Sequence, residues 1–307
     1  MSRFDFLQIE QDTTVFGEQI EVLKYFLFER SINMLYARAG TGKTWLCFSL
    51  SKYLVGQGFD VLYLDPDNPY DLIKKRGFEA HIKALNGKMT YINGDLMDDM
   101  RSQMNEANEK IVQNAKASYD KCVFIYDGLK FFLGGGMYDE TKIDKLVMLF
   151  KRIRKAGGTV IVINHTTKKG DTMKGGGSLI DALDEVWKVD KLAEQAESLH
   201  FKLTPTKYRM QVKEVSYSID TKTLELKELD TKIATMNEDE LGLSDTIKEL
   251  LKGKELTQGE ILTALGKNKA DKTMLNFLEK FDGKLWSVTK KANRKLYNLI
   301  QEVTTTK

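Results

Sequence analysis

Ala37, Arg38, Ala39, Gly40, Thr41, Gly42, Lys43 and Thr44 form a stretch with the residue types of a loop that grips phosphate. Gly40 and Gly42 allow backbone N–H groups to turn inward around an anion, Lys43 is long enough to reach the outer phosphates of a nucleotide, and the Thr44 hydroxyl is a ligand for Mg²⁺. The stretch follows the apolar run Asn33 to Tyr36 and opens a helical segment at Trp45, so the positive end of a helix dipole adds to the anion site. ATP and Mg²⁺ are the ligands this chemistry implies. In the usual spacing the first position is glycine; here it is Ala37.

Three further apolar runs end in polar residues. Cys122 to Tyr126 ends in Asp127, read as the acid that holds a magnesium-bound water from the strand next to the loop's own strand. Val61 to Leu64 ends in Asp65 and Asp67, at the sheet edge where open α/β folds bind ligands. Asp67 is the preferred residue for orienting the attacking water, against the plainer reading that both acids form a turn. Thr159 to Ile163 ends in Asn164 and His165, a pair suited to sensing the γ-phosphate, although a histidine at a strand end is often only structural. The basic, glycine-rich loop Lys168 to Ser178 that follows suits close approach to a polyanion.

The elements that must position these residues alternate between short apolar runs and helical segments from Asn33 to about Trp187, which predicts a parallel α/β sheet. Alternating strands after Trp187 predict an antiparallel extension at the sheet edge. Residues 1–30 are expected to form a helical cap, which completes an ATPase domain over 1–230. Residues 231–243 are read as a linker. The segment 244–307 reads as three helices, the first capped by Ser244, and a β-hairpin, which is a winged-helix pattern.

The 307 residues are 42% hydrophobic and 30% charged, with net charge +3. No apolar stretch approaches the roughly 18 residues a membrane span needs, and the first residues lack the order of an export signal, so a cytoplasmic location without a membrane role is expected. Two cysteines, Cys47 and Cys122, are too few for a zinc cluster and are read as core residues.

Over residues 30–230 the order of these elements resembles the RecA-like ring ATPases, most closely the RepA-like replicative helicases of plasmids and phages within the RecA-like AAA family. The resemblance rests on the phosphate loop, Tyr63 to Pro69, Phe124 to Phe132, Val162 to Lys168 and Gly175 to Trp187, in that order. It implies a glutamate where this chain has Asp67, a departure at a catalytic position. It also implies an arginine near the nucleotide, matched by Arg76, and a Lys-x-Arg element reaching a neighbouring subunit's γ-phosphate, matched by Lys207 and Arg209. For Arg76, Lys207 and Arg209 a solvated surface role competes with these readings.

The function so implied is a Mg-ATP-dependent hexameric ring acting as a DNA helicase or translocase on single-stranded DNA, in replication of a mobile element. No primase-like or large helical domain is expected ahead of the ATPase. Lys267, Lys269, Lys272, Lys290, Lys291, Arg294 and Lys295 of the winged-helix segment are candidates for duplex DNA phosphates, with protein docking as the alternative. An ATP-switched regulator or partition-type protein, a filament-forming recombination ATPase and a non-enzymatic nucleotide sensor are the competing readings.

Overall fold

Uninterrupted apolar runs form strands only where both sheet faces are covered, and the central strands here alternate their side chains between two cores. Leu35 and Ala37, Val123 and Ile125, and Ile161 and Ile163 point to one core. Met34 and Tyr36, Phe124 and Tyr126, and Val160 and Val162 point to the other. A computed structural model describes residues 20–115, 118–167, 172–175, 177–195, 197–291 and 294–300. The chain divides into two compact units, 1–229 and 230–307.

The first unit opens with strands β1 (Glu21–Leu23) and β2 (Leu27–Phe28), which pair as a hairpin. The helical cap expected over 1–30 is therefore not what residues 20–30 form, and residues 1–19 lie outside the described residues. Tyr25 and Arg30 turn the chain at positive φ, and Leu23, Phe26 and Leu27 are buried, so what reads as helical spacing is a short turn with its apolar side chains packed inward.

Next come β3 (Ile32–Ala37), α1 (Lys43–Gly56), β4 (Asp60–Asp65), α2 (Tyr70–Lys75), α3 (Phe78–Ala84), β5 (Met89–Asn93) and α4 (Met100–Asn114). The helical segment after β4 is divided into α2 and α3 by Gly77 at φ 76°. Then follow β6 (Cys122–Tyr126), α5 (Leu129–Phe132), α6 (Glu140–Lys155), β7 (Thr159–His165), α7 (Gly177–Ala182), β8 (Glu185–Gln195), β9 (Ser198–Lys207), β10 (Val215–Asp220) and β11 (Leu226–Leu229).

These strands build a nine-stranded sheet in the order β11-β10-β9-β8-β3-β7-β6-β4-β5. From β8 to β5 neighbours are parallel, and from β8 to β11 antiparallel, as the RecA-like α/β reading requires. Two details differ from expectation. β7 lies between β3 and β6, so Asp127 comes from the second strand away and not from the adjacent one. β8 begins at Glu185, ahead of Trp187, and is the strand where the pairing direction changes.

α1, which carries the phosphate loop into the fold, is buried along the continuous run Leu46 to Ser51. The turn before β11 covers its outer side, with the Ser49 hydroxyl donating to the Leu224 carbonyl at 2.9 Å. Cys47 is fully buried, whereas Cys122, at the start of β6, is only partly so.

The second unit contains α8 (Thr231–Ala234), α9 (Glu238–Leu251), β12 (Leu256–Thr257), α10 (Gln258–Ala264), α11 (Lys272–Lys280), β13 (Trp286–Lys291) and β14 (Arg294–Leu299). Much of the segment read as a linker, 231–243, is thus helical. Asn237 and Glu240 form a reciprocal capping box that starts α9 seven residues before Ser244, which is itself buried inside the helix. Thr257 caps α10 in the same way. The small sheet runs β12-β14-β13, and Ile247, Leu251, Ile261, Leu262, Phe281 and Trp286 form the unit's core.

Candidate nucleotide site

The loop between β3 and α1 lines a cleft of about 300 Å³ together with Asp67, Asn68, Arg76, Asp127, His165, Lys191, Glu194 and Leu199. Ala37 is the last residue of β3 and keeps a strand conformation, so nothing in its backbone demands glycine. Gly40 and Gly42, by contrast, sit at φ 76° and 99°. At Gly42 a Cβ would also meet the Phe201 ring at 3.0 Å, so β9 supports the loop from beneath. Ala39 to Trp45 all face the cleft; Ala37 and Arg38 are not among the residues lining it.

Lys43 is buried, and its ammonium donates to the carbonyls of Ala37 at 3.2 Å and Arg38 at 3.1 Å. Burial holds its pKa below the ordinary lysine value, partly offset by Asp127. Its Nζ also lies 3.5 Å from His165 Nδ1, while His165 Nε2 lies 3.5 Å from Asp67 Oδ2. An ammonium can only donate, so Nδ1 accepts and Nε2 carries the proton that faces Asp67. That contact, the largest influence on it, holds the Asp67 carboxyl below its usual range.

Behind Asp67 is a buried polar network that no local residue pattern announces. Asp65 is fully buried and accepts from the Asp67 and Asn68 amides and, at 2.6 Å, from the Tyr91 hydroxyl. Asn68 donates its side-chain amide to both Asp65 oxygens at 3.0 Å and to Asp127 Oδ2 at 3.2 Å. Asp127 also accepts from Tyr63 at 2.8 Å, and burial, then the nearby Asp65 charge, pushes its pKa up to about 8.

A buried carboxylate pair with one amide between them is a place where a divalent cation relieves charge. Thr44 and Asp127 in the same cleft are oxygen donors suited to Mg²⁺. Among the described residues no group of three or more His, Cys, Asp or Glu side chains could hold a metal ion.

Trp45 packs edge-on against Phe78 with centroids 4.5 Å apart, and the Arg76 guanidinium lies 5.9 Å from the Trp45 ring centre. The structure does not bring the remaining candidates to the cleft. Asn164 is buried and donates to the Lys174 carbonyl at 2.7 Å, which ties the β7 end to the glycine-rich loop instead of to the cleft. Of that loop, residues 168–171 and 176 lie outside the described residues.

Lys207 donates to the carbonyls of Ile180, Asp181 and Leu183. Arg209 donates to Asp184 at 3.0 Å and to the Asp181 carbonyl. Both therefore sit by Asp184, whose carboxylate also accepts from the Ile32 amide at the start of β3, whereas the phosphate loop leaves the end of that strand.

A larger cleft of about 680 Å³ is lined by residues of α4, α5 and α6 and contains none of the phosphate-loop residues.

A phosphate loop thus leaves the end of β3, and buried acids close β4 and β6. The profile of an AAA domain matches residues 2–171, more than half of the chain. The chain belongs to this AAA-domain family. The assignment makes it a RecA-like P-loop protein of a nucleotide-binding ATPase family.

Among solved structures this chain is similar to the flagellar accessory protein FlaH from Methanocaldococcus jannaschii, at 15% identity and a TM-score of 0.46, covering 66% of this chain and 91% of that one. No curated protein matches. Among the described residues of the AAA-domain chain, no helix is long and apolar enough to cross a membrane.

Asn68, Tyr63, Tyr91, Lys191, Glu194 and Leu199 are the cleft and network residues that sequence reasoning missed. Asn68 carried a faint signal, an amide next to two acids at a strand end. The others are ordinary strand residues until the sheet order is known.

Proposed function

We propose that this chain hydrolyses Mg-ATP as one subunit of a ring, hexameric by family resemblance, that moves along single-stranded DNA as a helicase or translocase in replication of a mobile element. The observation that carries the reading is the separation of Lys207 and Arg209 from their own phosphate loop by the length of β3, roughly 15–20 Å for six residues. Basic groups so placed reach a γ-phosphate only across a head-to-tail interface, and repeated head-to-tail contacts form a ring where the rotation between neighbours closes and a filament where it does not.

Within the cleft, Lys43 and the amides of the loop bind the phosphates. Asp127 and Thr44 would hold Mg²⁺, which supplies charge neutralisation on the β- and γ-phosphates when bound. Asp67, fixed by its contact with His165, orients the attacking water and accepts its proton. His165 lies against both Lys43 and Asp67, so loss of the γ-phosphate alters its contacts, and Asn164 next to it is bonded to the glycine-rich loop. That juxtaposition supports coupling of phosphate state to DNA contacts from the loop.

From α9 onward the order helix, strand, helix, helix, strand, strand, with sheet order β12-β14-β13, supports the winged-helix reading. Lys267, Lys269, Lys272, Lys290, Lys291, Arg294 and Lys295 then form the candidate duplex contact. The same observation favours one second reading, an ATP-switched regulator that recognises a DNA site.

The deciding experiment is ATP hydrolysis with and without single-stranded DNA, together with assembly mass, for the wild type, Lys43→Ala and Arg209→Ala. A hexamer stimulated by DNA, with activity lost in both variants, supports the motor. Slow turnover by a monomer or dimer, indifferent to DNA, sinks it and favours the switch.

A further inference from the structure

The cleft has two ends, divided by β3. Asp67 and Asn68 follow β4, Asp127 follows β6 and His165 ends β7, so every group suited to γ-phosphate chemistry comes from one side of the phosphate-loop strand. On the other side the lining among the described residues comes from β8 and β9, through Lys191, Glu194 and Leu199. A nucleotide held with its outer phosphate at the first end directs its nucleoside away from it. Towards α1 the cleft is lined by Trp45, which has Phe78 packed edge-on against it and the Arg76 guanidinium beside it.

We infer that the hairpin is the nucleoside subsite, with the Glu194 carboxylate accepting hydrogen bonds from the ribose hydroxyls and Leu199 packing against the sugar and base, so that the site selects ribonucleotides over deoxyribonucleotides. This inference rests on the nucleotide-binding reading of the phosphate loop.

Charge places Glu194 with the sugar. A carboxylate lining an anion site is opposed to phosphate by repulsion, but it is the best acceptor for a pair of neighbouring hydroxyls, which need two oxygens at once. Lys191 donates to Glu194 Oε2 at 2.6 Å, which neutralises the acid and leaves Oε1 and the remaining lone pairs of Oε2 for a ligand. Leu199 is buried, and its Cδ1 would lie 3.9 Å from a Cβ placed on Gly42, so this apolar side chain is next to the phosphate loop.

The test is calorimetric binding of ADP and 2′-deoxy-ADP, neither of which is hydrolysed, to the full chain with Mg²⁺. Wild type is expected to bind ADP roughly ten-fold more tightly, the effect of one hydrogen bond to a charged acceptor. Glu194→Ala should weaken ADP by about that factor more than it weakens 2′-deoxy-ADP, which has only the 3′-hydroxyl to offer the carboxylate, and so erase the preference. The Glu194 side chain is largely exposed, so the variant folds. Equal affinities of wild type for the two nucleotides, or a preference that survives Glu194→Ala, would overturn the inference while leaving the phosphate loop intact. Failure of the nucleotide reading itself shows differently, as ADP affinity unchanged by Lys43→Ala.

Discussion

Arg209 donates to Asp184 at 3.0 Å, and the same carboxylate accepts from Arg154 at 2.9 Å through both of its oxygens. Asp184 also accepts from the Ile32 amide, so one acid anchors the start of β3, the end of α6 and the Lys-x-Arg segment. In this arrangement Arg209 is held by its own subunit, and any action on a neighbour must exchange that partner for a phosphate. The exchange is cheap for Asp184, because Arg154 remains bonded to it.

A mixing experiment follows from that geometry. Arg209→Ala should lower ATP hydrolysis by about 10³-fold if the guanidinium acts in trans, while costing less than about 1 kcal/mol of stability, since the Arg209 side chain is half exposed. Lys43→Ala should be equally inactive. Mixed in equal amounts, the two variants restore hydrolysis at interfaces that pair an intact Lys43 with an intact Arg209. Two inactive variants that stay inactive on mixing, though co-assembled by mass, would remove the trans role.

Much of the site could be read because each catalytic candidate ends a strand buried on both faces. Such strands are uninterrupted apolar runs, so the polar residues that close them, Asp65 and Asp67, Asp127, and Asn164 and His165, stand out. What could not be read depends on crossover order. That β7 runs between β3 and β6 is decided by helix packing on the two faces, and no local residue pattern encodes it. Asn68 was hidden for a related reason, because its value lies in reaching from the β4 end to Asp127 on the neighbouring strand. The hairpin at 21–28 was misread since a window this short fits either a helix or two strands around a turn. The boundary near residue 230 was obscured because Asn237 and Glu240 begin a helix within charged residues that resemble a linker.

Glu185 gives the fold a pH dependence of its own. It is fully buried in β8 beside Asp184, and burial first, then that neighbouring charge, pushes its pKa up to about 7. The Met210 and Arg209 backbone amides pull the other way, but neither closes a hydrogen bond of ordinary geometry to its oxygens. A carboxyl whose folded pKa is raised contributes stability that is full below its unfolded value, near 4.5, and is lost as pH rises through about 7. Melting temperature should therefore decline across that window for the wild type and decline less for Glu185→Gln, which stays neutral. Parallel curves for the two proteins would show that Glu185 ionises as freely in the fold as out of it.

Gly40 and Gly42 make different demands on the phosphate loop. Both have positive φ, which costs a residue with a side chain about 1–2 kcal/mol. A Cβ at Gly40 would meet nothing within 4 Å, whereas one at Gly42 would press on the Phe201 ring at 3.0 Å and move the loop off its support on β9. Nucleotide affinity should fall by roughly ten-fold for Gly40→Ala, from strain alone, and further for Gly42→Ala. Pairing Gly42→Ala with Phe201→Leu should recover part of the additional loss. Equal effects of the two single substitutions would mean that the ring contact is irrelevant to the loop.

Asn68 separates two buried acids, and removing its amide tests whether that separation matters. Asn68→Ala deletes the donor shared by Asp65 and Asp127, which leaves Tyr91 and Tyr63 as their remaining hydroxyl donors. The unrelieved repulsion should destabilise the nucleotide-free protein by on the order of 2 kcal/mol. A cation at Asp127 opposes the same repulsion, so saturating Mg²⁺ and ADP should raise the melting temperature more in Asn68→Ala than in the wild type. The loop that presents Asp67 is also loosened, because Asn68 fixes it to Asp65, and turnover should fall more than nucleotide affinity does. An equal thermal gain in both proteins would place the cation away from Asp127, and a loss confined to affinity would detach Asn68 from the positioning of Asp67.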